Sequence, residues 1–399
     1  MERFNAKGET MLPVVTFCYN YKNIECVCNL GDYIQTIALE NFYRQFFPEA
    51  EQITLDRDEL AHYQGKTALV LMQGWFSVAG NLDFLPSADL IPVFSGVHFS
   101  SPLRKNLLAG DSLDRFRGIE IGCRDYSTMY FLRAAGQTAY LSRCLTLTLP
   151  GRKGNEGKRN KIFWVDLPRS LETFLPPAFH ENAERISQRE FPFEPGRDSE
   201  NKNRAAALLE RYRREARCVV TTAIHCAMPC AAMGIPVLFI NYHDRNAVIE
   251  RWSAMHGIIP VYSEDDLLQG NKIPQEIPEE PKFEDLKENI LQNAYLSCCR
   301  AMGKTDENKL AHARTFIAGY NQIGAPSYEM LRTLDDMKTV EDLNRTRKAL
   351  HRMETSFTYR VGRLFTWLPC KIAGGIRTLR EHGFRYTVSL FFRKFGISS

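Results

Sequence analysis

Between residues 218 and 240 the chain reads CVVTTAIHCAMPCAAMGIPVLFI, a stretch with one imidazole, His225, and no Asp, Glu, Lys or Arg. Histidine is the side chain whose ordinary pKa places its proton exchange near neutral pH, so this position can serve a general acid or base. It can equally be a hydrogen-bonded core residue. What surrounds it decides between the two.

The window is about as long as a membrane span, which needs ~20 mostly apolar residues. Its punctuation argues against that reading. Thr221, Thr222, His225 and Pro229 are spread through it, and Gly234-Ile235-Pro236 marks a helix stop before a fresh strand at 237–240. The order is strand, loop, helix, strand. His225 then stands where a strand hands over to its helix, the ligand side of an open parallel sheet. A helix start also favours anions and lowers the pKa of a nearby imidazole.

Elements that could position such a site alternate through the first 150 residues. The pattern predicts strands at 12–18, 68–72, 90–94 and 119–121. Asp32 is placed to N-cap a helix with the apolar face Ile34, Ile37, Ala38, Phe42 and Phe46. The strand at 68–72 ends in Gln73-Gly74-Trp75, and the one at 90–94 in Ser95-Gly96-Val97-His98. The strand at 119–121 leads into Gly122-Cys123-Arg124-Asp125 and a helix over 126–135 that stops at Gly136. Short apolar strands between helices imply a parallel sheet covered on both faces.

Residues 151–161 hold three glycines and five basic residues and read as a linker. The pattern restarts with a strand at 162–165, a polar helix over 202–216 and the His225 segment, and helical periodicity dominates 283–356. The expectation is an N-terminal α/β lobe (1–150), a linker (151–161), a C-terminal α/β lobe with His225 (162–340) and a helical basic amphipathic tail (341–399). In 359–399, Arg360, Arg363, Lys371, Arg377, Arg380, Arg385, Arg393 and Lys394 face the single acid Glu381 and interleave with aromatics such as Phe365, Trp367, Phe391 and Phe392. Such a tail either lies on an anionic membrane surface or packs back on its domain.

At 399 residues, 44% hydrophobic and 25% charged, the chain has the composition of a soluble globular protein and is neither collagen-like nor largely disordered. A net charge of +4 does not indicate a nucleic-acid partner. Eleven scattered cysteines imply a reducing, cytosolic compartment. Neither Cys26-x-Cys28 nor the set His225, Cys226 and Cys230 has the paired spacing of a zinc site, so no metal is expected. The amino terminus lacks the apolar core of a secretory signal.

Several segments together resemble the polysaccharide pyruvyl transferase family, over roughly residues 12 to 260. They are Asn29-Leu-Gly-Asp-Tyr-Ile-Gln-Thr-Ile-Ala38, Gly122-Cys-Arg-Asp-Tyr-Ser-Thr128, a strand over 142–149 (SRCLTLTL), Val219-Val-Thr-Thr-Ala-Ile-His-Cys226, and Ala231-Ala-Met-Gly-Ile-Pro-Val237. The resemblance implies two Rossmann-like lobes similar to GT-B glycosyltransferases, with phosphoenolpyruvate as donor and no other cofactor. The acceptor would be a lipid-linked or nucleotide-linked glycan of the cell envelope or an exopolysaccharide. The product would be a cyclic pyruvate ketal, made in the cytoplasm or at the inner face of the membrane. The tail resembles basic carboxy-terminal segments of some bacterial cell-envelope sugar transferases.

In the family's motif the histidine is preceded by Arg-Leu, the Arg contacting the anionic donor. This chain has Ala223-Ile224 there. Arg124 and Arg245 are the candidate replacements, each just past a predicted strand end. His225 would deliver the proton to the donor's methylene carbon. Arg124, Arg245 and the turns at Gly31-Asp32 and Ala223-Ile224 would stabilise the departing phosphate. Asp32 or Asp125 would deprotonate the acceptor hydroxyl, or each is simply a helix N-cap. Two other readings share these features: a GT-B-like glycosyltransferase using a nucleotide sugar, and a non-catalytic scaffold of glycan assembly.

Overall fold

The continuous apolar runs become parallel strands, as expected of segments buried on both faces. The chain is described here from a computed structural model, for residues 12–19, 27–76, 82–109, 112–154, 158–189, 191, 192, 194, 196–242, 253–270, 272–328 and 335–356. It divides into two compact units, Met1–Lys338 and Thr339–Ser399.

In chain order the first elements are β1 (Val14–Cys18), β2 (Val27–Cys28), α1 (Leu30–Phe46), β3 (Gln52–Asp56), β4 (Ala68–Phe76), β5 (Leu90–Phe99), α2 (Ser101–Leu107), β6 (Ile121–Cys123), α3 (Tyr126–Ala134) and β7 (Ala139–Leu141). There follow β8 (Lys161–Val165), α4 (Arg169–Glu172), β9 (Ala183–Ile186), β10 (Phe191–Pro192), α5 (Asp198–Glu215), β11 (Ala216–Thr221), α6 (Ile224–Ala232), β12 (Val237–Asn241) and β13 (Val261–Ser263). The chain continues as α7 (Glu264–Gln269), α8 (Glu284–Ala301), α9 (Glu307–Gly319) and α10 (Asp335–Thr355).

Two parallel sheets result, both in the first unit. One has six strands in the order β3-β1-β4-β5-β6-β7, the other five in the order β13-β12-β11-β8-β9. A short antiparallel pair joins β2 to β10. The architecture is α/β, as the alternation implies. In the second sheet the period-2 rule sorts side chains by face. Cys218, Val220, Leu238, Ile240 and Ile162 enter one core with Leu171, Phe179 and Leu267. On β8, Phe163 meets the Tyr212 ring of α5.

Several boundaries differ from the sequence pattern, each for a local reason. Strands β4 and β5 run on through the glycines taken as their ends. A register shift falls between Met72 and Gly74 and another between Ser95 and Val97, so Gly74 and Gly96 belong to bulges that let pairing continue. His98 is therefore a strand residue. Residues 142–149 are not a strand: Arg143 takes a left-handed φ of 61° and the chain turns into a 3-10 segment, Leu145–Thr148. Asp32 is not the N-cap of α1. Asn29 is, its side chain accepting from the Gly31 N–H, while Asp32 sits in the first turn. The linker 151–161 ends one residue early, because Lys161 already pairs in the second sheet. The expected basic tail at 359–399 lies outside the described residues.

Candidate active site

His225 is the second residue of α6, reached from β11 at the centre of its sheet. Thr221 and Thr222 fix that handover. Their hydroxyls donate to the carbonyls of Val165 and Asp166 on the neighbouring strand end, and the Ala223 N–H returns to Thr221 Oγ1 at 2.9 Å. At the other end of α6 the Gly234 N–H bonds Ala231 O and the Ile235 N–H bonds Cys230 O, with Gly234 at φ 75°. This is the Schellman stop that the Gly234-Ile235-Pro236 signal implied. Ala223 provides no side-chain cap, and the first turn of α6 carries the positive end of the helix dipole.

Arg124 comes to this helix start from the first sheet. It follows β6 directly, and its Nη1 stands 3.0 Å from His225 Nε2 with both side chains buried. Its neighbour Asp125 is the N-cap of α3, accepting from the Thr128 N–H at 2.8 Å. The second carboxylate oxygen of Asp125 lies 2.8 Å from His98 Nδ1 and 3.9 Å from Arg124 Nε. Arg104 donates to the hydroxyls of Ser127 and Thr128 on the same helix turn.

Burial presses the His98 pKa down to about 4, with Asp125 opposing, so His98 is a neutral donor to an ionised carboxylate. Burial works to raise the Asp125 carboxyl, but His98, Arg104 and Arg124 outweigh it and hold it below the usual range. Burial lowers the Arg124 pKa.

From the other side α1 approaches. Gln35 Nε2 lies 3.2 Å from His225 Nδ1 and 3.1 Å from Asp32 Oδ1. Asp32 in turn is 3.6 Å from Arg57 Nη1. Burial acts against the Arg57 charge, yet Asp58 and Asp32 prevail and raise its pKa. Two glycines make room here. A Cβ on Gly31 would fall 2.8 Å from His225 Cβ, and one on Gly74, at φ 129°, would fall 3.2 Å from Gln35 Oε1.

The arrangement is one chain of contacts along the carboxyl ends of both sheets: Asp58, Arg57, Asp32, Gln35, His225, Arg124, Asp125 and His98. Arg124 Nε and Nη2 are buried without a hydrogen-bond partner. Unpaired guanidinium N–H groups at an uncapped helix start suit an anion. Among the described residues no group of three or more His, Cys, Asp or Glu side chains could hold a metal ion.

Of the sequence candidates, His225, Arg124, Asp125, Asp32, Gly31 and Ile224 converge here. Asp32 reaches His225 only through Gln35. The Gly31 N–H is spent on Asn29 Oδ1, so this glycine contributes clearance for the ring. Arg245 lies outside the described residues. Gln35, Arg57 and His98 were missed, as were Arg104 and Arg143. Arg143 donates to Ala254 O and stands over the Tyr126 ring, apart from His225. A usable signal existed for two of them: Gln35 lies in the segment 29–38 and Arg57 immediately follows the strand that precedes it. The fold buries all four of Arg57, Arg104, Arg124 and Arg143, which composition cannot foretell.

Comparison with known proteins bears on this geometry. A search of curated proteins finds no match. The crystal structure of an uncharacterized protein from Klebsiella pneumoniae superposes with a TM-score of 0.40 at 11% identity, covering 66% of this chain and 91% of that one. The sequence pattern of the polysaccharide pyruvyl transferases matches residues 29–244, a span of more than half the chain that contains Asp32, Gln35, Arg124, Asp125 and His225. The chain belongs to the polysaccharide pyruvyl transferase family.

Proposed function

We propose that the protein moves the pyruvyl group of phosphoenolpyruvate onto two hydroxyls of a glycan, forming a cyclic ketal. One observation carries the reading: the Arg124 guanidinium, with two unpartnered buried nitrogens, touches a histidine at an uncapped helix start inside the family-matched span. The donor is an anion with an enol ether carbon, and this site pairs a cation with a proton carrier.

In this mechanism His225 gives a proton to the donor's methylene carbon, leaving C2 as an oxocarbenium centre. A sugar hydroxyl adds to C2 and loses its proton. The C2–O bond to phosphate breaks, with Arg124 and the α6 N–H groups taking up the negative charge. A second hydroxyl closes the ketal. Of the two hydroxyl protons released, one restores His225 and one leaves with phosphate. The acceptor in this proposal is a lipid-linked or nucleotide-linked cell-envelope glycan. The enzyme works in the cytoplasm, and residues 359–399 hold it peripherally on an anionic membrane. No helix among the described residues is long and apolar enough to cross a membrane.

Thermal stabilisation tests the donor directly. Phosphoenolpyruvate should raise the melting temperature, and phosphate release with a glycan acceptor should vanish in His225→Gln. Stabilisation by UDP or GDP instead would favour the nucleotide-sugar reading, which the Ala223-Ile224 departure supports. If neither ligand stabilises the protein, the scaffold reading stands. Deleting 359–399 should abolish salt-sensitive sedimentation with anionic liposomes; unchanged sedimentation would reject the membrane role.

A further inference from the structure

An arginine can only donate, so the 3.0 Å contact from Arg124 Nη1 requires a lone pair on His225 Nε2. The opposite nitrogen, Nδ1, faces the Gln35 amide nitrogen at 3.2 Å, and that same nitrogen is 3.1 Å from Asp32 Oδ1. With the amide in this orientation both imidazole nitrogens face donors, and Gln35 Oε1 is buried with no partner. Turning the amide over would let Oε1 accept from Nδ1–H while Nε2 keeps its lone pair for Arg124. In either orientation His225 is uncharged, because an imidazolium would set its N–H against a guanidinium.

Arg124 is therefore pointed at the group that the proposed chemistry needs protonated. Its bond to a neutral imidazole is weaker than a charge-assisted bond to phosphate or carboxylate oxygen. Its Nε and Nη2 are buried and unpartnered, and Asp125 Oδ2 stands 3.9 Å off. We infer that Arg124 is a latch: it caps His225 Nε2 until an anionic phosphate draws the guanidinium away, so that Nε2 can carry the proton. The inference rests on the reading of His225 as general acid, and it couples that acid to the presence of its anionic substrate.

Among the described residues, the ionisable groups on the elements packed against α6 include Asp32 of α1, Tyr212 of α5, Cys218 of β11 and Cys144 at the start of the 3-10 segment, with Cys226 and Cys230 on α6 itself. Burial pushes the Cys218 thiol up to about 12 and raises Tyr212 and Cys230 well above their usual values, so these three stay neutral. Arg124 and Asp125, then Arg57 behind Asp32, supply the charges that an anion would rearrange.

The test is long-range proton–nitrogen NMR on protein labelled with 15N-histidine, with the His225 signal identified by its loss in His225→Gln. Inorganic phosphate is the probe. In the unaltered protein without phosphate, His225 should be the neutral Nδ1–H tautomer. Saturating phosphate should raise its titration midpoint by one pH unit or more. Arg124→Gln should raise the midpoint without phosphate and remove most of the phosphate effect. A midpoint that phosphate leaves in place, or moves equally in Arg124→Gln, overturns the latch. The phosphate arm uses the unaltered protein, so it decides the matter even where the variant fails to fold. A phosphate-sensitive His225 without turnover of phosphoenolpyruvate would reject the chemistry and keep the latch; turnover with an unmoved midpoint would do the reverse.

Discussion

Arg124 and His225, 101 residues apart, meet at 3.0 Å because β6 and β11 both end beside the start of α6. The position two residues before the histidine holds Ala223, so no neighbour on α6 supplies a cation. The cation at the imidazole comes from the other sheet. Its carbon chain and charge are wholly enclosed, which fixes the guanidinium against Nε2 and strengthens its field by excluding water.

Replacing His225 by Gln should remove the proton donor while keeping an acceptor for Arg124. Loss of positioned general acid catalysis costs about 10²- to 10⁴-fold. Phosphate release should fall at least that far with little change in melting temperature. A variant with near-normal turnover would remove His225 from the chemistry.

Gly31→Ala should disturb both the fold and the imidazole. Its Cβ would fall 2.8 Å from His225 Cβ and 3.0 Å from Asn29 Oδ1, with α1 and α6 both fixed by packing. Overpacking of this kind costs about 1–3 kcal/mol. Urea denaturation should show the loss, and the His225 NMR signal should move. If stability and the signal are both unchanged, the helix starts are less tightly apposed than this geometry requires.

Asp125 holds together a helix cap, His98 and two arginines. Asp125→Ala leaves Arg104 and Arg124 buried without their carboxylate, a change worth about 3–5 kcal/mol. Asp125→Asn also removes the charge but keeps the cap, so it should cost less by the cap's share, about 1 kcal/mol. Equal losses in the two variants, measured by denaturant titration, would show that the cap adds nothing beside the charge.

His98 should make stability fall in mild acid. Its pKa is about 4 in the fold against 6.5 for an ordinary histidine, so between those values the unfolded chain binds the extra proton. Stability is then lost as pH drops from about 6.5 and the loss is complete below about 4, with a slope of at most ~1.4 kcal/mol per pH unit. His98→Asn retains a donor for Asp125 and cannot titrate. Its stability curve should be flatter over that window; an unchanged slope would place the acid sensitivity elsewhere.

Much of the scaffold was legible because its signals are local. The strand at β11, the uncharged helix and the Gly234 stop follow from apolar runs and one residue that tolerates a left-handed turn. The Asp125 cap was readable from a short polar side chain before a helical pattern. Glycines inside β4 and β5 misled, since a bulge and a strand end share the same residue. Asp32 misled too, because Asn29 three residues earlier offers the same capping chemistry.

By itself the sequence determined that parallel α/β elements would deliver a histidine to a strand-to-helix junction, and that Ala223 and Ile224 precede it. Only the tertiary structure decided that Arg124 meets the ring, that Gln35, itself bonded to Asp32, stands at the other nitrogen, and that four arginines are enclosed. The reason is physical. Helix and strand signals act over a few residues, whereas the partners of a buried charge are chosen by which strand ends the sheet order brings side by side.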